Sequence, residues 1–145
     1  MELLINDDKL QPGEVQEITL KARAVLVDKE GKILIVNTAK IILFPGGKVD
    51  YGETILEAVI RELKEELGQQ YTSEELTLFA SLNYYQKNYP KRNNTLKNRL
   101  VQTHYFVAEY KEQHDKRCRY RNYRRHHSGD VLSSESALPY RLNSV

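Results

Sequence analysis

Residues 47–68 read GKVDYGETILEAVIRELKEELG, and this stretch carries the strongest helix signal in the chain. Thr54 or Glu53 can cap the start of a helix, and Gly68 suits the left-handed position just past its end. Apolar residues recur between these points with a helical period. The sequence therefore predicts a helix over residues 54–67, entered from a loop.

Three carboxylates fall on one stripe of this helix. On a helical projection with about 100° per residue and Glu62 placed at 0°, Glu65 lies near −60° and Glu66 near +40°. The predicted buried face spans about 100° to 160°, with Val59 and Ile55 at its edge. Its members are Leu56, Ile60, Leu63 and Leu67. The acid stripe is therefore expected to border the core, partly withdrawn from solvent.

Like charges three or four residues apart on a helix repel each other. A hard divalent cation removes that repulsion, and Mg²⁺ is usually held by a few carboxylates together with substrate phosphates. Gly46 and Gly47 lie just before the helix and let the backbone approach a ligand closely, so that a free carbonyl there can add a ligand. The alternative is a solvated face, in which Arg61 pairs with Glu57 or Glu65 for ~0.3–0.5 kcal/mol each.

The spacing of the whole segment resembles the signature of the Nudix hydrolase family. The matching positions are Gly47, Glu53, Arg61, Glu62, Leu63, Glu65, Glu66 and Gly68. The preceding Phe44-Pro45-Gly46-Gly47 is similar to the family's lead-in. One position departs, because Gln69 stands where the family usually has an aliphatic residue. We expect Gln69 to loosen the packing of the helix.

The resemblance implies the Nudix fold, which is α/β (α+β), with a mixed sheet sandwiched by helices. It implies hydrolysis of a diphosphate bond in a nucleoside diphosphate linked to another moiety, with Mg²⁺ or Mn²⁺ as cofactor. The implied metal ligands are the carbonyl of Gly46 and the carboxylates of Glu62, Glu65 and Glu66. The implied catalytic residues are Glu53, Arg61 and Glu62, of which Glu53 and Arg61 orient the acids by charge-assisted hydrogen bonds. The identity of the general base stays open.

Strands are predicted on both sides of the helix. Residues 16–27 and 32–36 are rich in aliphatic and β-branched residues, and a hairpin turn at residues 28–31 joins them. Residues 75–85 and 98–110 are predicted as later strands, and residues 86–98 as a polar surface loop. A short apolar piece at residues 41–44 ends at Pro45, Gly46 and Gly47, which we expect to stop any regular element.

Candidate substrate contacts lie in and beside these later strands. Tyr84 and Tyr85 can stack on a base, and Lys91 and Arg92 can meet phosphate. Packing within the strand and solvation of the loop are the alternatives. The same two interpretations apply to Tyr89 and Lys87, and His104 is interpreted as a packed histidine or a catalyst.

Length and composition set the remaining expectations. A chain of 145 residues favours one domain, and no apolar run approaches the ~20 residues of a membrane span. The single cysteine, Cys118, allows no internal disulfide, and the N-terminus carries acids where an export signal would carry lysines. We therefore expect a cytoplasmic protein with a nucleotide-derived small-molecule substrate and no membrane contact; a homodimer is compatible with the sequence.

The last 35 residues differ from the rest. Residues 111–145 carry a net charge of +4 against −2 for residues 1–110, and residues 117–127 contain no aliphatic side chain. The domain is therefore predicted to cover 1–110, with 111–145 as an atypical basic tail. Three hypotheses stay open: a basic arm for nucleic acid, a disordered extension, or translation in a shifted frame. In the +1 frame, RCRYRNYRRHH can encode an acidic and aliphatic segment.

Two rival functions follow from these features. A Nudix-fold module that binds nucleotides without hydrolysing them would explain the unusual tail. An RNA 5′-end pyrophosphohydrolase would use that tail to hold nucleic acid.

Overall fold

The fold is built around the apolar segment predicted as the first long strand. In the computed structural model, which describes residues 1–37, 41–111 and 131–133, this segment is β2 (Glu17–Val27). Its alternate residues Ala22, Ala24 and Leu26 are buried against helix α1 (Ile55–Leu67). Small side chains at the first two positions let the helix lie close to the strand.

A seven-stranded mixed sheet surrounds β2. Its other strands are β1 (Glu2–Ile5), β3 (Lys32–Leu34), β6 (Gly46–Lys48), β7 (Thr77–Pro90), β8 (Leu96–Glu109) and β9 (Val131–Ser133), while β4 (Val36–Asn37) and β5 (Ile42–Leu43) form a separate pair. The order is β1-β7-β8-β2-β3-β9, and β6 also pairs with β2. Strands β1 and β7, and β2 and β8, run parallel, whereas the other pairs are antiparallel. The predicted α+β class is confirmed.

One α-helix, α1, lies against the sheet within the described ranges. The helices predicted on both faces of the sheet therefore stay a prediction. No helix in the same ranges is long and apolar enough to cross a membrane.

The buried face of α1 is rotated relative to the prediction. Its buried residues are Ala58, Val59, Leu63 and Leu67, whereas Leu56 and Ile60 are only partly buried. On the same projection the buried arc runs from about −40° to +140°. Glu62 and Glu66 therefore lie inside the arc that faces the sheet, and not beside it. The prediction placed the acids beside the buried face because it assumed that charged and apolar side chains occupy separate parts of the helix surface.

The segment after Pro45 corrects a second expectation. Gly46 and Gly47 do not stop regular structure but begin β6, which pairs antiparallel with β2 through Ala22–Gly47 and Arg23–Gly46. The prediction was wrong because these glycines satisfy the backbone bonding of β2 where no side chain would fit. A Cβ on Gly46, whose φ is 131°, would overlap the carbonyl of Ala22.

The polar segment at residues 86–98 is mostly strand, so the surface-loop prediction was wrong there. β7 continues to Pro90 and β8 starts at Leu96, with a register shift between Gln86 and Tyr89. Asn88 takes a positive φ of 52° at this irregularity, which Asn tolerates. Backbone pairing between β7 and β8 thus extends the hairpin beyond the core, where the side chains have no hydrophobic periodicity from which a strand could be predicted.

Two further segments complete the sheet. β1 was not predicted, and it pairs in parallel with β7 at the sheet edge with most of its side chains exposed. β9 pairs antiparallel with β3. Residues 112–130 and 134–145, on which the three hypotheses about the basic tail depend, lie outside the described residues.

Candidate active site

The helix that carries the acids is fixed at both ends as predicted. Thr54 is the N-cap, and its side chain and the Glu57 carboxylate bond each other's backbone N–H groups. These bonds from Thr54 lower the pKa of Glu57. Gly68 ends the helix in the left-handed conformation, with φ 67°. The caps fix the axial position of the acids relative to β6.

The glycine pair of β6 makes the space in which two of the acids lie. A Cβ on Gly47 would overlap the carboxylate of Glu62. One residue earlier, the backbone N–H of Gly46 donates a 2.9 Å hydrogen bond to Oε2 of Glu66. A side chain at Gly47 would displace Glu62, so this glycine explains how Glu62 fits inside the buried arc.

Arg61 is the centre of an ion-pair network at the start of the site. Its Nε and Nη2 donate to the two carboxylate oxygens of Glu53 at 2.8 and 3.0 Å. Its Nη1 donates to Glu62 at 2.9 Å and to Glu65 at 3.4 Å. Its Nη2 also bonds the carbonyl of Lys48 at 3.0 Å. The guanidinium therefore ties the loop before the helix, the helix and β6 together.

The network fixes the charge states of Arg61 and Glu53. The fork-to-fork bond with Glu53 raises the pKa of Arg61 above its usual range. The same bond, with the N–H of Asp50, lowers the pKa of Glu53. Because both carboxylate oxygens of Glu53 accept hydrogen bonds, this side chain is held as an anion with one orientation.

The carboxylates of α1 and the carbonyl of Gly46 are candidate ligands of a divalent metal ion. In the described part of the chain no three acid, histidine or cysteine side chains already converge as a ligand cage. Glu62 is turned toward Arg61 and Glu66 toward Gly46, while the side chain of Glu65 is 60% exposed. All the donors are oxygens on one side of the helix beside a glycine strand, which fits a hard cation.

Arg23 is a site residue that the sequence interpretation missed. Its Nη1 donates to the carbonyl of Phe44 at 2.5 Å and to that of Gly46 at 3.2 Å. The Gly46 carbonyl, implied as a metal ligand, therefore already accepts one hydrogen bond. The available signal was the charge itself, since an Arg inside the apolar run of residues 16–27 is unusual.

The predicted substrate residues do not form one cluster. Tyr84 pairs with Val101 and Tyr85 with Leu100, so the two rings lie on opposite faces of the sheet and cannot both stack on one base. Lys91 pairs with Glu17, and Arg92 is exposed nearby.

The other three candidates from the sequence, Tyr89, His104 and Lys87, also lie apart from one another. Tyr89 lies under the guanidinium of Arg99. The imidazole of His104 shares a 2.9 Å hydrogen bond with the hydroxyl of Ser81, and Lys87 is exposed.

Gln69 does not loosen the helix, so that expectation was wrong. It is buried, donates to the carbonyl of Lys111 at 2.6 Å and accepts from the Tyr71 hydroxyl at 2.7 Å. The Tyr71 hydroxyl also lies 2.9 Å from the carbonyl of Glu109. Burial raises the pKa of Tyr71 to about 12. A polar residue thus ties the end of α1 to the end of β8 where an aliphatic one would only pack.

Two curated relatives match short segments. An 8-oxo-dGTP diphosphatase from Escherichia coli (strain K12) is 47% identical over 53 residues, which are 37% of this chain and 37% of that protein. An ADP-ribose pyrophosphatase from Methanocaldococcus jannaschii is 42% identical over 48 residues, covering 30% of this chain and 28% of that protein. The chain thus spans only about a third of the length of these relatives.

Solved structures agree on the fold. A MutT protein from Methanosarcina mazei Go1 has a TM-score of 0.57 at 17% identity, covering 83% of this chain and 80% of that one. A NUDIX hydrolase from Nitrosomonas europaea has a TM-score of 0.51 at 19% identity, covering 72% of this chain and 67% of that one.

The NUDIX domain family matches residues 18–133. The match runs past residue 110 and includes β9, while the proposed division of the chain at that residue stays a prediction. With the acid helix, its glycine strand and the mixed sheet in the arrangement described above, this match makes the chain a member of the Nudix hydrolase family.

Proposed function

We propose that this chain hydrolyses a diphosphate bond in a nucleoside diphosphate linked to another moiety, with a divalent metal ion as cofactor. The observation that supports this most is that Glu62 and Glu66 lie partly buried against Gly46 and Gly47, so that carboxylates and a backbone carbonyl offer the oxygen ligands that a hard divalent cation prefers. The named substrates of the two relatives, 8-oxo-dGTP and ADP-ribose, both contain a nucleoside diphosphate. Nudix hydrolases generally use divalent metal ions; for this chain we propose Mg²⁺ or Mn²⁺.

The proposed ligands are the carboxylates of Glu62, Glu65 and Glu66 and the carbonyl of Gly46. A bound ion would neutralise charge on the diphosphate and polarise its phosphoryl oxygens toward attack by water. The N–H of Gly46 orients Glu66, and Arg61 orients Glu62. Glu65 is exposed and can turn toward the ion at little cost.

Glu53 and Arg61 act as positioning residues in this proposal. Glu53 is held as an anion by two contacts with Arg61, and Arg61 in turn holds Glu62. A carboxylate with a lowered pKa and both oxygens occupied is a weak proton acceptor. We therefore assign the proton-accepting role to a group other than Glu53.

One observation favours a second candidate function, which is nucleotide binding without hydrolysis. In the described residues the acids are turned toward Arg61 and Gly46 and do not converge. A family member that binds nucleotides without hydrolysing them would keep its acids turned toward Arg61 and Gly46 when the nucleotide is bound.

A screen for nucleoside monophosphate release, read by anion-exchange chromatography, separates the two functions, because cleavage of the diphosphate bond yields phosphate esters or pyrophosphate and no free phosphate. The full chain is incubated with a panel of nucleoside diphosphate derivatives, including ADP-ribose and 8-oxo-dGTP, with Mg²⁺, with Mn²⁺ and with EDTA. Release that requires the metal supports hydrolysis. Thermal stabilisation by a panel member with no release from any of them refutes hydrolysis and supports binding. Location in the cytoplasm stays a prediction.

A further inference from the structure

A second charged feature lies on the face of the sheet turned away from α1. It is a groove of about 810 Å³ between the tip of the β7–β8 hairpin and the strands β2 and β6. Five cationic side chains and one carboxylate line it: Lys48, Lys91, Arg92, Lys97, Arg99 and Glu17. We call it the basic groove.

The cations share the face of the sheet that is turned away from α1. Lys48 pairs with Lys21 across β6 and β2, and Arg99 pairs with Glu17 across β8 and β2. Ala22, next to Lys21, faces α1, so Lys21 and its partner face the other way. Positive charge therefore accumulates along one side of the sheet.

Within the part of the chain that the structure describes, carboxylates at the groove do not balance this charge. The pKa of Lys21 is lowered by burial and by the nearby charges of Arg23, Arg99 and Lys48. Glu17, the one carboxylate among the described residues of the groove, is already paired with Lys91. Cations that repel one another at a protein surface are stabilised when a polyanion binds.

Part of the groove is held in place before any ligand arrives. The Nε of Arg99 donates to Gln86 at 2.5 Å, and its guanidinium stacks on the ring of Tyr89 at 3.2 Å from the centroid. Glu17 anchors Lys91. Little side-chain entropy is then lost at these two cations on binding.

Lys48 links the groove to the Arg61 network. It follows Gly46 and Gly47 directly, and its carbonyl accepts the 3.0 Å bond from Arg61. One residue therefore contributes its side chain to the basic groove on one face of the sheet and its backbone to the Arg61 network on the other.

We propose that the basic groove binds a chain of three or more linked phosphates. Single-stranded nucleic acid is the weaker fit, because it binds by stacking bases on aromatic rings. Among the described residues that line the groove, the one aromatic side chain, Tyr89, has a ring face covered by Arg99.

The test measures binding without catalysis. Tripolyphosphate, pyrophosphate and inorganic phosphate are titrated into the full chain in EDTA by calorimetry at low ionic strength. The double variant Arg92→Gln/Lys97→Gln removes two exposed groove charges. The double variant Lys29→Gln/Lys64→Gln removes the same charge from exposed positions outside the groove.

We expect tripolyphosphate to bind about tenfold or more tightly than pyrophosphate, and the groove variant to lose about tenfold or more of that affinity. The control variant should stay within about twofold of the unmodified chain, because its charges are distant and screened. Equal losses in both variants, or no binding to the unmodified chain, would overturn the proposal. Displacement of tripolyphosphate by a 5′-hydroxyl RNA oligonucleotide at equal phosphate concentration would also overturn it, in favour of nucleic acid.

The result is independent of the proposed hydrolysis. Glu62→Gln should leave tripolyphosphate binding in EDTA unchanged. A groove that binds tripolyphosphate in a chain that hydrolyses nothing would refute the hydrolysis alone. Metal-dependent hydrolysis with unaltered binding by the groove variant would refute the groove alone.

Discussion

The carboxylate of Glu62 occupies the space where a side chain on Gly47 would be. Gly47 belongs to β6 and pairs with Ala22 of the central strand, so its position is fixed by the sheet. Glu62 belongs to α1, whose position is fixed by the buried side chains of Val59 and Leu63. The contact therefore joins two rigid elements and leaves no room for adjustment at the acid.

Gly47→Ala is predicted to cost both activity and stability. The added methyl group would push Glu62 or β6 aside, and overpacking of this kind costs about 1–3 kcal/mol. Hydrolysis should fall about tenfold or more, because the carboxylate loses its position. Urea denaturation and release of nucleoside monophosphate measure the two effects. Gly13→Ala is the control, since nothing lies within 4 Å of a Cβ there. Equal behaviour of the two variants would refute the role given to the contact.

Arg61→Lys is predicted to lower kcat by about 10- to 100-fold without unfolding the chain. A lysine keeps the charge but cannot form the two parallel bonds with Glu53 while also holding Glu62. Steady-state kinetics with circular dichroism at matched temperature measure the change. A kcat equal to that of the unmodified chain would show that orientation by Arg61 is unimportant.

Gln69→Leu is predicted to destabilise the chain, although an aliphatic residue is usual at this position in the family. Leucine would leave the buried carbonyl of Lys111 without its donor and remove one partner of Tyr71, at about 1–3 kcal/mol. Gln70→Leu is a matched control at the next, exposed position and should stay within about 0.5 kcal/mol. Urea midpoints compare the two. Greater stability of Gln69→Leu would show that packing outweighs the hydrogen bonds.

The ion pair of Glu75 with Lys111 predicts a pH dependence. The bond from Lys111 and that from the Thr72 N–H lower the pKa of Glu75 in the folded chain. Because the pKa of Glu75 in the folded chain lies below the unfolded value, about 4.3 for Glu, the ionised side chain stabilises the fold at pH above that unfolded pKa. This stabilisation is lost as the pH falls through the folded pKa. The difference in unfolding free energy between the chain and Glu75→Gln should therefore be constant near neutrality and shrink below about pH 4.3.

Chemical denaturation across pH measures this difference, with Glu74→Gln as the exposed neighbouring control. A difference that grows on acidification would contradict the sign. The pair is more than a third exposed, so added salt should also reduce its contribution.

The helix and its acids were predictable because the signals are local. Thr54 and Gly68 mark the ends, and apolar spacing marks the helix between them. The rotation of the buried arc was not predictable from the helix alone. It depends on Gly46 and Gly47 arriving from another strand, and a helical projection does not contain that partner.

The strands divide in the same way. β2 was predicted from its aliphatic and β-branched residues, and the turn at residues 28–31 from Gly31, which takes a positive φ of 79° in the structure. The hairpin tip and β1 were missed because backbone pairing, and not burial, stabilises them. Arg23 was missed for a related reason. Lys91 and Arg92 of the basic groove were predicted as phosphate contacts, but the groove itself depends on which strands become neighbours.

The most direct test of the central claim is release of nucleoside monophosphate from nucleoside diphosphate derivatives by the full chain and by Glu62→Gln and Glu66→Gln, with Mg²⁺ and with EDTA. Glu74→Gln is the control for loss of one exposed negative charge. We predict metal-dependent release by the unmodified chain and the control, and loss of about 100-fold or more in both site variants, as expected for carboxylates that hold the metal. Full metal-dependent release by either site variant would contradict the account.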